Sequence, residues 1–183
     1  MKQLINVVVI AVALIGTVIG QEPSARPAQG SSGVKAATAD ALFMRTAAMD
    51  GLAEVEHGRL ATQNAAAADV KEFAQRMVDD HSKAGEELKA LAAQKQVTLP
   101  TELDQKHRAV QDKLAKLKGE AFDKAYMSHM VMAHQQAVAL FQRQAKAGKD
   151  SDAKAWAAKT LPVLQEHYKL ARDVNAAMVK KRP

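Results

Sequence analysis

The chain has 183 residues, which is enough for one domain and a targeting segment, and 48% of them are hydrophobic. It contains no cysteine, which excludes disulfides, thiol catalysis and a lipid anchor on cysteine. The formal net charge of +6 is mild, and basic and acidic residues are interleaved, so we expect no nucleic-acid partner. The absence of a Gly-x-Ser-x-Gly elbow and of a Gly-rich phosphate loop argues against hydrolase and nucleotide-binding functions.

The amino terminus has the pattern of a secretory signal peptide. Lys2 precedes an apolar run over residues 4–19, and Gly20 is small enough for signal peptidase. We therefore predict a signal peptide at 1–20 and an exported protein of the periplasm or cell envelope, with an uncleaved anchor as the alternative. We expect no stable membrane span after cleavage. Residues 21–37 are rich in Pro, Gly and Ser, which predicts a flexible leader.

The rest of the chain favours helix, because it is rich in Ala, Lys, Glu and Gln and poor in Gly and Pro. Thr38 or Asp40, Asp69 and Thr101 are predicted helix N-caps, and Gly119 is a predicted left-handed helix end. These signals predict one all-α domain over residues 38–180, with helices at 38–66, 69–95, 102–117, 120–147 and 151–179.

The short third helix determines the topology of the predicted bundle. The four long helices, at about 1.5 Å per residue, would make a bundle about 40 Å long. If the short helix runs back along the outside, the long helices on either side of it become parallel, which is the crossover topology of a ferritin-like four-helix bundle. A plain up-and-down bundle is the competing arrangement.

Each long helix carries one potential metal ligand on its inward face. Spacings that alternate between three and four residues place His81, His134 and His167 on otherwise apolar stripes. Glu54 shares a face with Ala47 and Ala61. In the crossover topology, these four side chains would meet near the middle of the bundle.

A glutamate and three imidazoles are costly to bury unless they bond to one another or hold a cation. We therefore predict one transition-metal ion, Zn, Fe or Cu, bound by Glu54, His81, His134 and His167. Outer side chains that are candidates for hydrogen bonds to the imidazoles are Asp80, Asp123, Glu166, Glu56 and Tyr126.

Three further histidines receive weaker interpretations. His57 completes a Glu-x-x-His pattern with Glu54 that arises easily by chance, whereas His107 and His129 are interpreted as surface residues. A metal-free alternative also stays open: a structural or partner-binding envelope protein whose buried histidines and acids form a closed hydrogen-bond network without a cavity. We expect a binding or structural role rather than an enzyme, and no feature indicates the oligomeric state.

Three combined motifs carry a resemblance to a known family: Asp80-His81, Phe122-Asp123-x-x-Tyr126 and Leu161-Pro162-x-Leu164-x-x-His167. With these motifs the chain resembles the exported bacterial proteins known as domain of unknown function 4142, in the ferritin-like superfamily. The resemblance covers about residues 40–178 and implies the fold and export, but no activity. It implies that the important positions are Glu54, Asp80, His81, Asp123, His134 and His167, and it does not include His57.

Overall fold

The computed structural model describes residues 38–180, so the predicted signal peptide at 1–20 and leader at 21–37 lie outside the described residues. Within the described range the chain forms five helices and no strand, which confirms the all-α prediction. The helices are α1 (Thr38–Asn64), α2 (Ala68–Gln94), α3 (Gln105–Ala115), α4 (Gly119–Ala147) and α5 (Ser151–Lys180). The predicted bounds are close except for α3, which is shorter than expected at both ends.

Hydrogen bonds at the two ends of the bundle give the direction of each helix. At one end, Asp40 near the start of α1 accepts the backbone N–H of Asp150, just before α5. At the other end, Asp123 near the start of α4 accepts the N–H of Ala67, between α1 and α2. Therefore α1 and α5 start at one end, and α2 and α4 start at the other. This is the crossover arrangement of a ferritin-like bundle, and the up-and-down alternative is wrong.

The long helices form a ring around the core. The hairpins α1–α2 and α4–α5 have the most extensive interfaces, and the contacts of α1 with α4 and of α2 with α5 close the ring. Helix α3 packs outside, against α1 and α4, as the chain returns from the end of α2 to the start of α4. The crossover therefore covers the α1–α4 side of the bundle.

The apolar core is divided into two clusters along the bundle axis. One contains Phe43 and Phe141, whose ring centroids are 5.1 Å apart. The other contains Phe122 and Tyr126, stacked at 5.7 Å. In every long helix, the potential metal ligand lies between the residues of one cluster and those of the other. A polar layer thus lies at mid-height.

The predicted N-caps are wrong for α2 and α3, and of the two candidates for α1, Asp40 lies inside the helix. Asp40 bonds to the start of α5, and the N-cap of α2 is Ala67, with no side-chain bond of its own. The backbone N–H of Ala67 donates instead to the carboxylate of Asp123 in α4. The N-cap of α3 is Asp104 rather than Thr101. Carboxylates from another helix bond to N–H groups just before α2 and α5, which is a tertiary effect that local sequence signals do not contain, whereas Asp104 caps its own helix.

Two glycines occupy positions where a side chain would be strained or would clash. Gly119, the first residue of α4, has φ of 60°, which confirms the predicted left-handed conformation, although α3 already ends at Ala115. At Gly58 in α1, a Cβ would lie 2.9 Å from Val78 Cγ2 and 3.0 Å from the Ala74 carbonyl oxygen of α2. Gly58 therefore permits the close packing of α1 on α2.

Candidate metal centre

Three imidazoles from three helices converge in the polar layer. The ring centroids of His81, His134 and His167 are 5.7, 5.5 and 5.4 Å apart, and one nitrogen of each ring lies within 4.8 Å of the others. Three nitrogen ligands about 2.1 Å from one ion in tetrahedral geometry lie about 3.4 Å apart, so the nitrogens have to approach one another by up to about 1.4 Å to bind it. The histidines that the sequence placed on one level therefore lie together.

Hydrogen bonds leave these rings with buried nitrogens that have no partner. His134 Nδ1–H donates to the Met130 carbonyl oxygen at 3.0 Å, and His167 Nε2–H donates to Asp80 Oδ2 at 2.8 Å. The other nitrogens, His134 Nε2 and His167 Nδ1, are buried without a hydrogen bond, as is His81 Nε2. Because one nitrogen of His134 and of His167 holds the proton, the other offers a lone pair.

Burial keeps the three imidazoles neutral at physiological pH. It lowers the pKa of His134 to about 4, with a smaller contribution from the neighbouring His167. Burial also lowers the pKa of His81 well below its usual value, with further contributions from His134 and His167. For His167, burial lowers the pKa despite the bond to Asp80. Neutral imidazole is the form that binds metal ions.

Glu54 lies beside this group. The carboxyl is buried, its Oε1 is 4.0 Å from His134 Nδ1, and its Oε2 has no hydrogen-bond partner. Burial, followed by the charge of Asp50, raises the pKa of Glu54 to about 8. Glu54 is not one of the three groups that converge within 4.8 Å. Of the four ligands that the sequence predicted, three are imidazoles that converge. The fourth, the carboxyl of Glu54, lies next to His134.

Asp80 and Glu166 differ in their relation to the centre. Asp80 contacts it directly, through the bond to His167. Arg76 lies 3.4 Å from Asp80 and 2.9 Å from Glu166, and Glu166 is exposed on the surface. Glu166 therefore reaches the imidazoles only through Arg76 and Asp80.

The three other outer residues of the sequence prediction have different contacts. Asp123 bonds to backbone N–H groups between α1 and α2, and Glu56 pairs with Arg59 at 2.9 Å. Tyr126 is fully buried in an apolar cluster, and its hydroxyl has no hydrogen-bond partner. Burial raises its pKa well above the usual value. None of the three forms a hydrogen bond with the imidazoles.

A second group of histidines was missed by the sequence interpretation. His57 is 1% exposed, and its Nε2–H donates to the His107 carbonyl oxygen at 3.3 Å. The ring of His129 lies 5.4 Å from that of His57. His107 Nε2 is 3.4 Å from Asp50 Oδ1. The interpretation of His107 and His129 as surface residues is wrong, because α3 packs over this side of the bundle and leaves both half-buried.

Members of both groups line one cavity of about 1020 Å³, although His167 does not. Its wall includes Glu54, His81 and His134 of the central polar layer, and His57 and His129 of the second group. Most of the remaining wall is apolar. Exposed residues such as Met132 and Lys106 also line it, so the cavity extends to the surface.

A known protein family matches most of this chain in sequence. The profile of the family described as Domain of unknown function (DUF4142) matches residues 24–174. The chain belongs to the DUF4142 family. The resemblance seen in the sequence motifs is thereby confirmed for most of this DUF4142 protein.

Two solved structures resemble the DUF4142 fold. A DUF305 fragment from Deinococcus radiodurans has 12% identity and a TM-score of 0.69, covering 78% of this chain and 99% of its own. A DUF305 protein from Streptomyces coelicolor, described as a candidate secreted protein, has 16% identity and a TM-score of 0.66, covering 76% and 92%. At these identities the similarity shows the fold alone.

No curated protein matches this DUF4142 chain significantly in sequence. None of its described helices combines the length and the apolar character needed to cross a bilayer.

Proposed function

We propose that this chain is an exported metal-binding protein that holds one transition-metal ion in its bundle core. The ligands are His81 Nε2, His134 Nε2 and His167 Nδ1, with a carboxylate oxygen of Glu54 as the fourth. The observation that carries the proposal is the convergence of one nitrogen from each of three imidazoles, each of which keeps a buried nitrogen without a hydrogen-bond partner. Each buried polar group left unpaired costs about 1–3 kcal/mol, and a bound cation would remove that cost at all three.

The donor set restricts the class of ion. Three imidazole nitrogens and one carboxylate oxygen suit zinc, copper or ferrous iron. The Met130 carbonyl and the Asp80 carboxylate accept the second ring proton of His134 and His167, which fixes their orientation. A ferritin-type di-iron site is less suitable, because it requires more inward carboxylates.

We infer metal handling or oxidative defence rather than catalysis. With Glu54 as a ligand, four protein groups complete a tetrahedral site, and no position stays open for a substrate. Export is inferred from Lys2 and the apolar run over residues 4–19. The periplasm or cell envelope is the compartment that this segment favours.

The test is elemental analysis of the mature protein after periplasmic expression. We expect near-stoichiometric metal in the wild type and in Gln136→Ala, a change in the cavity wall away from the ligands, and loss of tightly bound metal in His81→Ala/His134→Ala. A metal-free wild type that shows no thermal shift with zinc, copper or iron would overturn the proposal. A structural or partner-binding protein with a hydrogen-bonded core would then be the remaining function.

A further inference from the structure

We propose that His57 and His129 form a second, weaker binding site for the same class of ion, through which the ion passes between solvent and the central site. This inference rests on the proposed function of the group formed by His81, His134 and His167. The two sites share the cavity described above.

Like the central His134, His57 has one ring nitrogen bonded to a backbone carbonyl and the other without a partner, but the roles of Nδ1 and Nε2 are exchanged. Its Nε2–H donates to the carbonyl oxygen of His107, which leaves Nδ1 as the lone pair. That Nδ1 is buried and has no hydrogen-bond partner. A buried imidazole nitrogen without a partner is costly unless a cation or a water binds it.

His129 provides the second imidazole. Its ring centroid is 5.4 Å from that of His57, and both rings line the cavity. Burial lowers the pKa of His57 to about 4, with a smaller contribution from His129. Burial also lowers the pKa of His129, followed by the charges of His107 and Lys106. Both rings are therefore neutral and able to coordinate a metal ion near pH 7.

The spacing of residues on α1 and α4 connects the two sites. Asp50, Glu54 and His57 follow one another at intervals of four and three residues, so they lie on one face of α1. All three line the cavity, and the charge of Asp50 contributes to the raised pKa of Glu54. On α4, His129 and His134 are five residues apart, and both line the cavity. An ion held at His57 and His129 therefore lies in the same cavity as Glu54 and His134.

The number of convergent ligands explains why the second site is the weaker one. Among the described residues, the central histidines alone bring three ligand atoms within 4.8 Å of one another. Two imidazoles give fewer metal–ligand bonds, so this site releases its ion more readily. A weak site next to a strong one, in the same cavity, increases the local concentration of the ion at the strong site.

The experiment is a Co²⁺ titration of the metal-free mature protein, followed by absorption spectroscopy and by stopped-flow measurement of the loading rate. We expect two binding phases in the wild type and in Gln136→Ala. His57→Ala/His129→Ala loses the weak phase and loads the strong site more slowly. His81→Ala/His134→Ala loses the strong phase and keeps the weak one. Circular dichroism confirms that each variant is folded, and His129→Gln repeats the test with a milder change.

Each failure has a distinct signature. If His57→Ala/His129→Ala or His129→Gln keeps both phases and the wild-type loading rate, the second site is overturned while the central site stands. If a folded His81→Ala/His134→Ala variant loses both phases, the two groups act as one site, which also overturns the inference. If the wild type binds no Co²⁺, Zn²⁺ or Cu²⁺, the proposed function itself fails.

Discussion

The imidazole of His167 and the carboxylate of Asp80 join α5 to α2 through a bond of 2.8 Å beside the candidate metal centre. A carboxylate acceptor orients an imidazole ligand and increases its basicity. We therefore expect Asp80→Asn to weaken metal binding about 10- to 100-fold while the stoichiometry is unchanged. Competition titration against a chelator of known affinity measures this change.

Asp79→Asn is the matched control for that experiment. Asp79 is the exposed neighbour of Asp80 and bonds to Gln75 on the same helix. Metal affinity should be unchanged in this variant. Equal affinities for the Asp80 and Asp79 variants would show that the bond to His167 does not support a metal ligand.

Asp123 should act on stability and not on metal binding. Its two oxygens accept the N–H groups of Ala66 and Ala67 at 3.0 and 2.9 Å. We expect Asp123→Ala to lower the free energy of unfolding by about 1–3 kcal/mol, because both donors lose their partner. Urea denaturation and elemental analysis should show lower stability with full metal content. Loss of metal at unchanged stability would favour the role beside the imidazoles that the sequence predicted.

Gly58 and Gly85 form a pair for testing the α1–α2 contact. A Cβ at Gly58 would be 2.9 Å from Val78 Cγ2, whereas a Cβ at Gly85 would meet nothing within 4 Å. We expect Gly58→Ala to destabilise by about 1–3 kcal/mol through overpacking. Gly85→Ala should stabilise by about 0.5–1 kcal/mol, because alanine favours helix. Urea unfolding measures both, and similar values for the two variants would contradict the close packing.

Asp150 should make stability depend on pH. Its carboxylate is 2.8 Å from Lys95 Nζ and accepts the N–H of Ala153 at the start of α5. Burial alone would raise the pKa of Asp150, but these bonds outweigh it and hold the pKa below 3.8. Its contribution is therefore complete above the unfolded-state value and is lost as the pH falls through the lower folded-state value.

The corresponding variant is Asp150→Asn, with Asp152→Asn as its control. Asp152 also pairs with Lys95, at 2.6 Å, but it is exposed to solvent. At pH 7 we expect Asp150→Asn to lose about 1–3 kcal/mol and Asp152→Asn less than about 1 kcal/mol. The difference between Asp150→Asn and the wild type should shrink as the pH falls below about 4. Thermal unfolding across this pH range measures it, and a constant difference would contradict the ion pair.

The fold was predictable because one physical pattern extends along every long helix. Apolar residues recur at intervals of three and four, and a short helix between α2 and α4 leaves a crossover as a simple way to keep four helices in one bundle. The same pattern brought His81, His134 and His167 to one level. Bonds between helix ends, such as the one from Asp123, depend on tertiary contacts and were not predictable.

The second histidine group was missed for a related reason. His57 and His129 lie on the side of the bundle that α3 covers, and α3 has few apolar positions to indicate where it packs. Because the packing of α3 was not predicted, His129 was interpreted as a surface residue. The interval from Glu54 to His57 was the one local signal, and it is too common in charged helices to decide the matter.

The histidine layer also fixes the alignment of the helices along the bundle axis. A helix that slipped by two turns, about 11 Å, would still place apolar residues against apolar residues in most layers. It would, however, move its histidine, or Glu54 in the case of α1, into one of the two apolar clusters and place an apolar side chain in the polar layer. The layer thus penalises the misalignments that an apolar core alone would tolerate, and it specifies one register for all four helices whether or not a metal is bound.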